Sequence, residues 1–267
     1  AISLVLVGAI GGALLGPELV TRGQNWYGEV PYAGSLIAIA ALFVVQSLSL
    51  MFLKPLRGEL AEKVGESDRS LKEIVRQPLY RVAVLGAAVA YGAMTLLMTA
   101  TPISMHVNDG FTIEETANVI RSHVLGMYLP SLFSGFLMDR FGTVRIMIVG
   151  TLALGGACLV GLQGHSYLHY RYALALLGVG WNFLYVGGTT MLTLTYSMSE
   201  RFRAQAINEF TVFGTSASAS LLAGVVIHYY GWNLLVMLPL VPLALVLIGL
   251  FVIRKDGLLR RPSVVQV

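Results

Sequence analysis

The chain has 267 residues, of which 56% are hydrophobic and only 12% charged, with a net charge of +4 and a pI near 9.2. So few charges cannot cover the surface of a water-soluble domain of this size, which excludes an ordinary soluble enzyme or nucleic-acid-binding module and points to a bilayer. The single cysteine, Cys158, excludes an intrachain disulfide and any cysteine-based metal cluster.

The apolar residues fall in eight blocks of about twenty, the length at which a helix rising ~1.5 Å per residue crosses a ~30 Å hydrocarbon core. In chain order they cover about 2–20, 32–53, 80–104, 113–138, 144–162, 172–196, 204–228 and 234–253. Hydrocarbon offers the backbone no hydrogen-bond partners, and continuous apolar runs lack the dyad alternation of barrel strands. The expected fold is therefore an all-α polytopic membrane protein with eight transmembrane helices. No coordinating cluster or cofactor motif stands out, so neither metal nor cofactor is expected, and nucleic acid is not an expected partner.

The first block contains GGALLGPEL, with Gly12 and Gly16 four residues apart and Pro17 after them. Small residues at that spacing let helices approach closely, and proline removes a backbone hydrogen bond and bends the helix. The polar interval 54–79 after the second block reads as a cytoplasmic linker. Its Leu71, Ile74, Val75 and Leu79 suit either an amphipathic surface helix or a plain solvated linker with some helix.

Block three carries Tyr91, Thr95 and Thr99 at helical spacing, with Met94 and Met98 beside them. Thr112 and Glu115 ahead of block four form a capping-box pattern. Within that block lie Arg121, long enough to snorkel to the outer surface, and His123, either a structural histidine or a proton-carrying one. Block four ends in a charged hairpin, GFLMDRFGTVR, containing Gly135, Asp139, Arg140, Gly142 and Arg145.

Polar side chains in spanning helices are costly and tend to face a bundle interior or a wet cavity. In block six, Asn182, Tyr185, Thr189, Thr193 and Tyr196 recur at steps of three and four, with Trp181 beside them. That stripe, together with Tyr91 and Thr95, is the candidate substrate cavity. Block seven brings Asn208 and Glu209 just inside the membrane; Glu209 is a candidate proton site or the partner of Arg140, Arg201 or Arg203. Glu209, His123 and Arg121 are thus the candidate coupling residues.

If the blocks alternate in direction, 15 of the 18 Lys and Arg fall on one side of the membrane, leaving Arg22, Arg171 and Arg121 elsewhere. The positive-inside rule makes that side, with the linker and the C-terminus, cytoplasmic. The opposite loops carry Trp26, Tyr27, Tyr32, Tyr167 and Tyr170, which suit an interfacial aromatic belt. The expected setting is the plasma (inner) membrane.

The hairpin G-x-x-x-D-R-x-G followed by a basic residue resembles the short loop signature of the major facilitator superfamily of secondary transporters. Gly135, Asp139, Arg140, Gly142 and Arg145 match it, with Thr143 where a second basic residue is common. Gly12, Gly16 and Pro17 match the core of the helix-five signature of proton-coupled exporters, although Val20 and Thr21 replace its trailing glycine pair. The resemblance implies a fold of twelve helices in two six-helix halves, of which this chain looks like helices five to twelve, with the first four absent. Residues 1–53 would then be the last two helices of the N-terminal bundle, 54–79 the linker, 80–256 the C-terminal six-helix bundle and 257–267 a cytoplasmic tail.

In that family the charged hairpin acts as a gate. The implied function is secondary active transport of a small solute by alternating access, coupled to protons or another ion, with antiport and drug or metabolite efflux favoured over metabolite uptake. Two other classes remain: a membrane-embedded solute sensor and a lipid-modifying enzyme. No P-loop, H-E-x-x-H or G-x-S-x-G motif supports an ATP-driven pump or a hydrolase, and the chain is expected not to be an enzyme.

Overall fold

The computed structural model describes residues 32–52 and 69–255, with scattered positions between 11 and 30. Every regular element among them is helical. The chain divides into two compact units, Ala1–Gly65 and Glu66–Val267.

In the first unit, α1 (Ala33–Met51) is apolar and long enough to cross a membrane. Ser35 Oγ donates to the Leu19 carbonyl at 3.1 Å, so the one buried hydroxyl at the start of α1 is satisfied. Gly12 and Gly16 are described but Pro17 is not, so the proline of the helix-five pattern lies outside the described residues. A Cβ added at Gly12 or Gly16 would meet nothing within 4 Å.

The second unit starts with α2 (Leu71–Arg76), opened by a capping box in which Ser70 Oγ accepts from the Glu73 amide and Glu73 accepts from the Ser70 amide. Ile74 is fully buried, so the end of the linker packs as a helix on the bundle. Then follow α3 (Pro78–Pro102), a π-helical turn (Ile103–Asn108), α4 (Ile113–Tyr128), α5 (Ser131–Phe141), α6 (Thr143–Leu162), α7 (Tyr167–Leu192), α8 (Arg201–Tyr229), α9 (Gly231–Met237) and α10 (Leu240–Lys255).

Five helical stretches among the described residues are long and apolar enough to span a membrane: 33–51, 78–108, 143–162, 201–229 and 231–255. The count of eight uninterrupted apolar spans is therefore coarser than the structure. Block one lies largely outside the described residues. Block four is two helices, α4 and α5, because Pro130 has no amide to continue the ladder and caps α5 instead. Block six is helical from Tyr167 to Leu192, so Thr193 and Tyr196 fall past its end. The glycines and polar residues of α7 lower its hydropathy, which is tolerated because α3, α4 and α6 surround it.

Glycines on α7 explain that central position. A Cβ at Gly180 would lie 2.8 Å from the Gly150 carbonyl of α6, and one at Gly188 2.9 Å from the Ala83 carbonyl of α3. Gly178 lies directly against the His123 carbonyl of α4. Only glycine permits such backbone-to-backbone approach, which is how helices gain packing contact where lipid offers no hydrophobic driving force.

The contacts also give helix directions. Gly188 meets Ala83 and Ser104 meets Tyr170, so α3 and α7 are antiparallel. Tyr80 donates to the Ala204 carbonyl while Thr95 pairs with Ser216, so α3 and α8 are parallel. One end of this unit consequently gathers the start of α3, the α5–α6 hairpin, the α7–α8 connection and the end of α10. Arg69, Arg76, Arg81, Arg140, Arg145, Arg201, Arg203, Arg254 and Lys255 all belong to that end.

Candidate functional site

Three helices bring aromatic rings together. Tyr91 of α3 stands edge-on to Trp181 (centroids 5.3 Å apart) and Tyr185 (4.8 Å) of α7, and to Phe213 of α8 (5.7 Å). Trp181 and Tyr185 stack at 5.0 Å with 19° between their planes. Each pair follows from helical spacing: Trp181 and Tyr185 are four residues apart on α7, as are Tyr91 and Thr95 on α3. On α8, Glu209, Phe213 and Ser216 repeat at four and three and share one face.

Glu209, which is exposed, precedes Phe213 by four residues and so shares its face of α8. Its one side-chain hydrogen bond among the described residues comes from Asn208 Nδ2 at 3.2 Å. None of Arg140, Arg201 and Arg203 reaches it. One turn farther along, Thr95 Oγ1 and Ser216 Oγ lie 2.7 Å apart. Trp181 is buried, and its indole N–H finds no acceptor among the described residues.

The remaining candidates go elsewhere. Asn182 is fully buried against α4, donating to the Met127 carbonyl at 2.8 Å and to Ser131 Oγ. Thr189 donates to the Val186 carbonyl, and Thr193 to the Thr190 carbonyl from beyond the end of α7. The stripe read along block six thus separates into a ring pair facing α3 and an amide facing α4. His123 is buried, its Nδ1–H donating to the Leu174 carbonyl at 3.0 Å, which ties α4 to α7. Arg121 donates to Asn118 Oδ1 one turn back.

The charged hairpin is built as a tight turn. Gly142 adopts φ 88°, a region open to glycine, and ends α5 so that α6 begins at the next residue. Asp139, Arg140 and Arg145 are exposed and form no ion pair among the described residues. Arg140 lies 6.0 Å from the ring of Phe141.

Two constellations went unread in the sequence. At the basic end, Arg69 binds Glu200 through Nε at 2.8 Å and Nη2 at 2.5 Å, with Glu200 only 3% exposed. The hydrogen bond to Glu200 raises the guanidinium pKa further and keeps it charged. At the opposite end, Tyr170 donates to Asp109 Oδ2 at 2.6 Å, while Ser104 Oγ lies 2.7 Å and His165 Nδ1 3.0 Å from the same phenol. The π-helical turn after Pro102 sets Ser104 and Asp109 on that side; such turns recur at functional positions. No group of three or more His, Cys, Asp or Glu able to hold a metal occurs among the described residues.

A bundle that includes five helical stretches of membrane-spanning length among the described residues, with an aromatic cluster shared by three of its helices, defines an integral membrane protein. The sequence profile of the Major Facilitator Superfamily matches residues 83–265, and the chain belongs to that family. Because its members are transporters rather than enzymes, the lipid-modifying enzyme is set aside.

The chain is 36% identical over 259 residues to a riboflavin transporter of Brucella anthropi, covering 96% of this chain and 64% of that protein. It is 30% identical to an uncharacterised MFS-type transporter of Bacillus subtilis, over 88% of this chain and 57% of that one. A cis,cis-muconate transport protein of Acinetobacter baylyi is 23% identical over 67% of this chain and 44% of its own length. The chain therefore spans less than two thirds of the length of these relatives.

Proposed function

We propose that the protein is a secondary active transporter that moves a small organic solute by alternating access, with the ring cluster of Tyr91, Trp181, Tyr185 and Phe213 lining the solute path. The observation that carries this reading is the convergence of those rings from α3, α7 and α8, with Glu209 one turn from Phe213 on α8. Rings from separate helices can part or close as the helices tilt, which a site on a single helix cannot do. The relatives named for riboflavin and cis,cis-muconate support an organic metabolite as the cargo.

In this reading protons drive the cycle, and Glu209 takes up the proton. What supports this reading is that Glu209, an acidic residue within α8, has no cationic partner among the described residues and accepts only from Asn208. Asp139, Arg140 and Arg145 form the cytoplasmic gate, and the basic end of the unit faces the cytoplasm of a plasma membrane. Efflux is the direction favoured by the partial helix-five pattern; uptake is the second reading. The chain corresponds to helices five to twelve of the family fold, with eight spans.

The test is flux through the full-length protein in proteoliposomes under an imposed pH gradient. Glu209→Gln is expected to abolish uphill transport while leaving downhill exchange of labelled solute. Flux of no solute that stabilises the protein against heat would overturn the transport reading.

A further inference from the structure

The polar network at the end opposite the basic residues has a fixed part and an exchangeable part. The fixed part is the Tyr170 phenol, 1% exposed, which donates to Asp109 Oδ2 at 2.6 Å and lies 2.7 Å from the fully buried Ser104 Oγ. His165 Nδ1 meets the same carboxylate oxygen at 3.0 Å from a side chain that is 46% exposed, with Asp109 at 20%. Solvent protons therefore reach the imidazole while the phenol stays enclosed.

These contacts join two pieces of chain that are far apart in sequence. Asp109 follows the π-helical turn Ile103–Asn108, and His165 stands two residues before α7. The same turn borders a cleft of about 430 Å³, lined by Ile103, Val107 and Asn108 on one side and by Gly224, Ile227 and His228 of α8 on the other. The turn is thus a wall shared by the network and the cleft. Its closing hydrogen bonds run from the Asp109 amide to the Ser104 carbonyl at 3.0 Å and from the Phe111 amide to the Met105 carbonyl at 2.9 Å.

Imidazole gains its charge as pH falls from about 8 to about 5, while carboxylates stay ionised down to about pH 4. The pair of His165 with Asp109 is therefore fully ionic in mildly acid solution and loses its positive member as pH rises. A phenol donor does not change over that range. The other ionisable groups at this end among the described residues are differently engaged or belong to other elements. His106 Nδ1–H donates to the Phe111 carbonyl at 2.7 Å, and His169 Nδ1 pairs with Ser166 Oγ at 2.9 Å. Glu115 is held in its capping box with Glu114 beside it, Arg171 follows Tyr170 on α7, and His228 stands across the cleft.

We propose that His165 and Asp109 form a proton-operated latch on the π-helical turn. Acid pH engages it and holds the turn against the start of α7; rising pH removes the charge and frees the turn to move the wall it gives to the cleft. The latch goes beyond the transport reading and holds whatever the cargo, because both of its members and the turn belong to one unit.

Hydrogen–deuterium exchange of the purified full-length protein, followed by mass spectrometry over residues 103–111 and corrected for the intrinsic exchange rate at each pH, reads the latch. From about pH 5.5 to about pH 8 the protection of this segment is expected to fall by about threefold, the size of a partly exposed ion pair. His165→Gln and Asp109→Asn should each abolish that pH dependence, and Gln and Asn preserve a polar side chain at both partly exposed positions. Tyr170→Phe should lower protection at both pH values and leave the pH dependence in place. His106→Gln and His228→Gln should behave as the native protein does.

Equal corrected protection at the two pH values in the native protein would overturn the proposal. So would a pH dependence that persists in His165→Gln, or one that vanishes in His106→Gln or His228→Gln.

Discussion

Gly178 of α7 lies directly against the backbone carbonyl of His123 in α4, with no side chain between the two helices. A Cβ there would also come within 2.9 Å of the Gly126 carbonyl carbon, so the obstruction is backbone that cannot swing aside. Gly178→Ala is expected to cost about 1–3 kcal/mol, seen as a lower melting temperature in detergent. Gly12→Ala, where the added carbon meets nothing within 4 Å, should cost no more than a few tenths of a kcal/mol. Equal losses at both positions would show that the α4–α7 approach does not hold the bundle together.

Arg69 and Glu200 make a second testable contact. Glu200 is almost fully enclosed and also accepts from the Ser197 amide at 2.8 Å, so Arg69→Ala removes a charged partner from a buried carboxylate. The expected loss is about 3 kcal/mol, against little change for Lys72→Ala on the exposed face of α2. Unfolding followed by tryptophan fluorescence would read the difference. A melting temperature for Arg69→Ala equal to the native value would mean that the pair is not holding α2 to the α7–α8 connection.

The phenol of Tyr170 donates to Asp109, so Tyr170→Phe and Asp109→Asn remove parts of one network. Their combined effect should fall short of the sum, with a coupling of about 0.5–3 kcal/mol in a double-mutant cycle. Strict additivity would show that Tyr170 is held by its ring contacts with Phe111 and Trp232 rather than by these hydrogen bonds.

His123 and Glu209 should behave differently on substitution. His123 is spent on the Leu174 carbonyl, so His123→Leu is expected to lower stability by about 1–3 kcal/mol and to leave the pH dependence of transport unchanged. Glu209→Gln should do the reverse. Loss of proton-driven uphill flux in a properly folded His123→Leu protein would transfer the coupling role to the histidine.

Much of the fold could be read from local chemistry. Thr112 Oγ1 accepts from the Glu115 amide at 3.1 Å and Glu115 accepts from the Thr112 amide at 2.9 Å, as the four-residue spacing predicts. The basic residues gather at one end because each hairpin returns the chain there. The break at Pro130 was hidden because the apolar run continues through it. Periodicity alone also merged Trp181, Tyr185 and Asn182, since adjacent positions on a helix can face different neighbours. Phe213 and Ser216 repeat in step with Glu209, but a search for polar stripes passes over an aromatic at the middle position.

The glycine contacts of α7 have a mechanical consequence. With Gly178, Gly180 and Gly188 seated on the backbones of α4, α6 and α3, α7 has no cushion of side chains on which to slide. It behaves as the keel of its unit, and whatever tilts it drags three neighbours along. Helix α8 is moored differently, chiefly to α3 through Tyr91 with Phe213 and Thr95 with Ser216. Of the helices that carry the ring cluster, α8 is therefore the one held to its neighbour through side chains, and Phe213 and Glu209, one turn apart on it, belong to the same face.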